Sequence, residues 1–280
     1  VNPVSGSGRL VLAAAPIGQP RDASPRLADA LGTADVVVTD DVAWLRATAA
    51  GLNAPPTGRV TDTDEPVGPL VEAIRDGATV LVVTSDGIPG ASAPELVAAC
   101  AAEGASVSCL PGPSAVTAAL ALSGLPSDRF CFEDTPPDGP EARRRWLADL
   151  AREPRTVVFH ADPARLGETL AEAAAAWGAD RPAAVCRDMT GPGEDVRRGA
   201  LGELAAWAAG GVTGPVTVVV AGAQPEEAGE GDVEALVAEV ERRVAEGARL
   251  KQAVAEVAET SASTGKKALY DAVLAARRGS

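Results

Sequence analysis

The sequence predicts an α/β fold: two consecutive α/β domains followed by a small helical module. Three observations carry this reading. From residue 9 to residue 221, short runs rich in Val, Leu and Ala alternate with helical stretches, and such runs have the composition of strands buried on both faces. The alternation pauses at Gly124-Leu125-Pro126-Ser127-Asp128, where Gly and Pro end a helix. An acidic, Gly-bearing linker at 224–232 then separates this region from a tail with helical patterns only. The expected boundaries are 8–123, 128–223 and 232–278.

In chain order, residues 9–15 form a strand that enters the loop Pro16-Ile17-Gly18-Gln19-Pro20. Ser24-Pro25 then starts a helix to Leu31, with Pro at its first position. Residues 34–39 are a buried strand that delivers Asp40-Asp41 to its C-terminal end, and a helix follows over 42–50. A stretch rich in Pro and Thr leads to Asp62-Thr63-Asp64-Glu65, and 67–76 reads as a helix. Thr79–Thr84 is a strand that breaks into Ser85-Asp86-Gly87-Ile88-Pro89-Gly90, a loop of turn-formers, before a helix ending near Gly104. Ser106–Leu110 is the next strand, and Pro111-Gly112-Pro113-Ser114 turns it into an Ala-rich helix with Ser114 as N-cap. Loops at strand C-termini that open onto helix N-termini are where open α/β sheets bind ligands.

The second half repeats the pattern with strands at 129–133, 156–159, 183–187, 196–199 and 216–221, and helices at 141–151, 164–177 and 201–209. The tail predicts three helices, at 233–246, 250–259 and 266–277.

Composition narrows the possibilities. Hydrophobic residues make up 46% of the 280 and aromatics only 3%, so the core must be built from Ala, Val and Leu. No apolar run reaches eighteen residues, and the first ten show no secretory pattern, so no membrane span is expected. Four Cys without CxxC spacing argue against a metal site and read as reduced core thiols of a cytoplasmic protein. The net charge is −14, yet residues 249–280 hold six Arg or Lys against three acids, a net of +3 that leaves −17 on the rest. The bulk charge argues against nucleic acid, whereas Arg143-Arg144-Arg145 and the tail residues Arg249, Lys251, Lys266 and Lys267 are the concentrated basic features. Phosphate-binding loops, dinucleotide fingerprints and nucleophile elbows are absent, and a single His leaves no spacing for a His-bearing triad.

The order AAAPIGQPRDASPRLADAL, ADVVVTDD, SDGIPG and LPGPSAVTAALALSGLPSDRFCFE resembles the tetrapyrrole methylase superfamily. Within it the chain is most similar to the branch that 2′-O-methylates a cytidine of small-subunit (16S) ribosomal RNA. The similarity runs on through RTVVFHADPARL, AAVCRDMT and GPVTVVVAG into the helical tail. It implies two α/β domains with S-adenosylmethionine folded in the cleft between them, in a homodimer. Carried over by position, the cofactor contacts are Pro16, Ser85, Asp86, Gly87, Ile88, Pro89, Gly90, Ser114, Ala115, Phe132, His160, Ala161, Arg187, Asp188, Met189, Gly214 and Pro215. Asp40 and Asp41 are the candidates for activating or orienting the acceptor hydroxyl, with helix capping as the alternative role for one of them. The basic run and tail would touch RNA phosphates.

The cleft loops depart from the branch's pattern. Asp40-Asp41-Val42-Ala43 stands where Glu-Asp-Thr-Arg is common, Thr61–Glu65 is acidic, and Pro163-Ala164-Arg165 replaces Pro-His-Arg. A methyltransferase acting on a non-RNA acceptor, or a non-catalytic member of the family, are the readings these changes keep open.

Overall fold

A computed structural model describes residues 8–85, 93–224, 230–260 and 265–279. The chain divides into two compact units, 1–221 and 222–280.

The first unit holds two five-stranded sheets. In the first sheet, β1 (Arg9–Ala14), β2 (Val36–Thr39), β3 (Arg59–Asp62), β4 (Thr79–Thr84) and β5 (Ser106–Leu110) run parallel in the order β3-β2-β4-β1-β5. The central strands are apolar on both faces because helices cover both. On one face α1 (Pro25–Leu31) and α2 (Val42–Gly51) bury Leu27, Leu31 and Leu45 against Val11, Val37 and Leu81. On the other, α3 (Val67–Arg75) and α4 (Ala93–Ala102) bury Leu70, Ile74, Leu96 and Cys100 against Leu10, Val80 and Val82. The strand β3 falls in the stretch read as irregular from the sequence. Its four residues, RVTD, contain no apolar run, because it lies at the sheet edge and pairs only with β2.

The helix α5 (Ala115–Ser123) follows β5 in the chain but packs elsewhere. Ala115, Val116, Ala119 and Leu120 lie against Val158, Cys186 and Val219 of the second sheet. Gly124 ends the helix in the left-handed conformation, at φ 73°, as the Gly-Leu-Pro signal requires.

The second sheet is mixed. It contains β6 (Phe130–Phe132), β7 (Thr156–Ala161), β8 (Pro182–Arg187), β9 (Asp195–Ala200) and β10 (Val216–Val220) in the order β6-β7-β10-β8-β9. β10 runs antiparallel to both β7 and β8, so its first residues sit beside the last residues of those strands. Helices α6 (Pro140–Leu150), α7 (Leu166–Trp177) and α8 (Leu201–Ala208) cover the face opposite α5. Trp146, Phe159 and Trp177 cluster there with centroids 5.3–6.3 Å apart.

Arg143 corrects an expectation. It is only 2% exposed, its guanidinium is held by Glu168 and Glu172, and it also donates to the carbonyls of Pro137 and Asp138. Such an arginine braces α6 against α7 and has no group left for a phosphate. Its neighbours Arg144 and Arg145 are exposed. The cysteines also differ from expectation in one case: Cys100, Cys131 and Cys186 are buried, but Cys109 on β5 is exposed.

The second unit consists of α9 (Glu230–Ala245), α10 (Leu250–Thr260) and α11 (Lys266–Gly279). Val240, Ala253, Val254, Val257, Leu269 and Val273 form its core. Arg242 and Arg243 pair with Glu239, and Arg277 pairs with Glu241. No helix among the described residues is long and apolar enough to cross a membrane.

Replacing Arg143 with Met strips Glu172 and two carbonyls of their donor and leaves Glu168 with Arg165 alone. Breaking a buried pair costs about 3–5 kcal/mol, reduced here to roughly 2–3 because both glutamates are partly solvated. The expected result is a melting temperature lower by roughly 5–10 °C, measured by differential scanning calorimetry. An unchanged melting temperature would show that water screens the pair.

Candidate functional site

In a parallel sheet every strand delivers its C-terminal residue to one edge. Here that edge receives Pro16 after β1, Asp40 after β2 and Ser85 after β4. Because β2 and β4 are neighbours, Asp40 meets Ser85 directly. One carboxylate oxygen accepts the Ser85 backbone N–H at 3.0 Å and the other accepts the Ser85 hydroxyl at 2.7 Å. Asp40 thus fixes the first residue of the turn-rich loop. The rest of that loop, Asp86, Gly87, Ile88, Pro89 and Gly90, lies outside the described residues. Asp41 acts differently, since its carboxylate accepts the N–H groups of Ala43 and Trp44 at 2.8 and 2.9 Å and caps α2. The two adjacent aspartates are therefore not equivalent, and capping occupies the second.

The acidic loop after β3 is partly neutralised. Arg59 grips Glu65 through two hydrogen bonds of 2.7 and 2.9 Å. Those bonds, aided by Thr61, hold the Glu65 carboxyl below its usual range.

The second sheet gathers its own group at one edge. Phe132 ends β6, His160 and Ala161 end β7, Arg187 ends β8, and the antiparallel β10 brings Gly214 and Pro215 to the same place. The Phe132 and His160 rings meet edge to face at 5.2 Å, and His160 Nδ1 lies 3.1 Å from the Thr217 hydroxyl. Asp188 adopts φ 47° and Thr190 φ 61°, strained values for residues other than Gly. Their loop is held by a hydrogen bond from Gly193 N–H to the Asp188 carboxylate, one from Asp188 N–H to the Pro215 carbonyl, and one from Thr190 N–H to Glu194. Met189 is buried beneath it.

These two groups meet. The Gln19 N–H donates to the Thr190 hydroxyl at 2.9 Å, which joins the loop after β1 to the loop after β8. A Cβ on Gly18 would lie 2.4 Å from the Met189 carbonyl oxygen and 2.8 Å from the Gly191 nitrogen. Only glycine permits that approach. Ile17 packs in the same cluster as α5 and Met189. At the start of α5, Ser114 takes the extended N-cap backbone conformation, but its hydroxyl makes no capping bond, contrary to the expectation from sequence. The first-turn N–H groups of this nine-residue helix therefore have no side-chain cap.

The structure thus gathers Pro16, Asp40 and Ser85 at one edge of the first sheet and Phe132, His160, Ala161, Arg187, Asp188, Met189, Gly214 and Pro215 at one edge of the second, and it joins the loop after Pro16 to the loop at 188–191. Sequence reading missed Gln19, Thr190 and Thr217. The Pro-Ile-Gly-Gln-Pro loop offered one signal, a Gly between two prolines where the backbone must pass close to something.

Replacing Gly18 with Ala puts a methyl group into the Met189 carbonyl. Overpacking of this kind costs about 1–3 kcal/mol. The expected result is faster amide exchange at 188–191 with β1 and β4 still protected. Unchanged exchange at 188–191 would mean that the two loops move apart freely.

The chain matches the family model for tetrapyrrole (corrin/porphyrin) methylases over residues 9–205. It is 52% identical over 279 residues, 97% of this chain and 96% of the relative, to the ribosomal RNA small subunit methyltransferase I of Mycobacterium tuberculosis. A second relative of the same name, from Xylella fastidiosa, is 35% identical over 233 residues, covering 80% of this chain and 85% of its own. Among solved structures, the uroporphyrin-III C-methyltransferase of Thermus thermophilus complexed with S-adenyl homocysteine superposes with a TM-score of 0.54 at 21% identity, over 76% of this chain and 97% of that one. The matched span contains the first sheet, the second sheet apart from β10, and the loops that meet at Gly18. On this similarity and this architecture, the chain belongs to the tetrapyrrole methylase family.

Proposed function

We propose that this protein is a cytoplasmic, S-adenosylmethionine-dependent methyltransferase that methylates the 2′-hydroxyl of a cytidine in small-subunit (16S) ribosomal RNA. The observation that carries the proposal is the 52% identity, over nearly the whole chain, to a relative named for methylating that RNA. A non-RNA acceptor is not favoured by it. The division into domains 8–123 and 128–223 with a helical module at 232–278, and the homodimer, belong to the same reading.

The residues at the junction of the two sheets fit such a cofactor. Its carboxylate suits the uncapped first turn of α5 and the Ser114 hydroxyl, since helix N-termini favour anions. Its positive sulfur suits the carbonyls and carboxylates around Asp188 and Pro215. When bound it supplies a methyl group already activated for in-line displacement. The protein's part is then positioning, for which effective molarities correspond to as much as ~7–11 kcal/mol.

In this reading Asp40 positions the Ser85 loop and orients the acceptor, while Asp41 is structural. His160, fixed by Thr217 and Phe132, contributes a rigid wall. RNA phosphates are met by exposed cations: Arg144 and Arg145 on α6, and Arg249, Lys251, Lys266 and Lys267 in the helical unit. Arg143 is excluded from this set by its burial.

The test is incubation of small ribosomal subunits with the purified protein and cofactor labelled in the methyl group. One alkali-resistant 2′-O-methylcytidine per subunit is the expected product, and none would refute the proposal. Asp40→Ala is expected to lower kcat/KM by about 10²-fold, because misplacing a loop by about 1 Å costs that much. Asp41→Asn should leave it within about twofold, since Asn caps as well as Asp. A larger loss for Asp41→Asn than for Asp40→Ala would reverse the assignment.

A further inference from the structure

A second concave site lies on the first sheet, away from the strand-end loops. The alternation of side chains puts Arg9 and Val11 of β1, Leu81 of β4, and Ser108 and Leu110 of β5 on the same face. The helix α1 covers β1 and β4 on that face. The helix after β5 does not cover β5, because α5 packs on the second sheet. The result is a cavity of about 200 Å³ between α1 and β5, floored by Val11, Leu81 and Leu110. It shares no residue with the junction described above.

Two arginines line this cavity: Arg9 from the start of β1 and Arg26 from α1. Elsewhere arginines such as Arg59, Arg155 and Arg242 are tied to carboxylates. Among the described residues, neither Arg9 nor Arg26 makes an ion pair or a side-chain hydrogen bond. One carboxylate, Asp29, stands on the same wall and is paired with neither, so the lining has two positive groups against one negative. Both arginines are exposed, so their charges are open to a ligand from solvent.

We infer that this cavity binds a small organic anion, with a carboxylate or phosphate held by Arg9 and Arg26 and a flat apolar body against the accessible edges of Val11 and Leu110. Guanidinium groups bind both anions in bidentate fashion. The size limits the ligand: drug-sized ligands occupy roughly 300–1,000 Å³, so this cavity takes about one ring and its charged group. The methyl donor is too large for it. A phosphate of an RNA backbone would leave the apolar floor unused.

The test uses the full-length protein and phenyl phosphate as probe, with benzoate as a second anion and benzamide as the neutral isostere, followed by calorimetry. Phenyl phosphate is expected to bind saturably at one site per chain, with benzamide at least tenfold weaker. Arg9→Ala and Arg26→Ala should each weaken phenyl phosphate at least tenfold. Ser108→Phe, which fills the cavity without removing a charge, should abolish binding while S-adenosylhomocysteine affinity stays unchanged. Absence of saturable binding overturns the inference, as does equal affinity for benzamide or an unchanged affinity in the Arg9→Ala/Arg26→Ala double variant. It is likewise overturned if the double variant loses only affinity for small-subunit RNA, which would make the arginines phosphate contacts. Because cofactor binding and RNA methylation are read separately, failure here is distinguishable from failure of the proposed activity.

Discussion

The close approach of Gly18 to the Met189 carbonyl is the constraint on which the functional geometry depends. Each sheet brings its chemistry-bearing residues to one edge. The contact, fastened by the Gln19–Thr190 hydrogen bond, joins a loop of one edge to a loop of the other. The strain at Asp188 and Thr190 belongs to the same device. Two residues other than Gly at positive φ are kept there by the Asp188 carboxylate on Gly193, the Pro215 carbonyl on Asp188 and Glu194 on Thr190. The helix α5 reinforces the arrangement, since it leaves the first sheet and packs its Ala-rich face beneath the second.

Much of the fold was legible in the sequence because central parallel strands have few alternatives. RLVLAA, VVVT and TVLVVT are buried on both faces, and only strands of that kind are apolar throughout. The edge strand β3 was not legible, since one exposed side and a polar composition remove the signal. The packing of α5 was not legible either. Its small apolar residues run almost all the way round, so periodicity names no partner sheet.

At the site, strand-end loops were legible as positions but not as roles. Asp40 and Asp41 are the same residue type one position apart. The sheet order, which puts β4 beside β2, makes the first a clasp for Ser85, and the start of α2 makes the second a cap. Arg143 shows the same limit. Within an Arg-Arg-Arg run all three look solvated, and only Glu168 and Glu172 on α7, 25 and 29 residues away, take one of them inside. Net charge is a weak guide to RNA binding for that reason, because many arginines here are tied to carboxylates within the fold.

The central claim is that residues from both sheets form a single cofactor pocket. The most direct measurement is hydrogen exchange of the full-length protein with and without saturating S-adenosylhomocysteine. The account predicts that slowed exchange appears together at the start of α5, at His160-Ala161 and at 188–191. Protection confined to one sheet, or no protection at all, would contradict it.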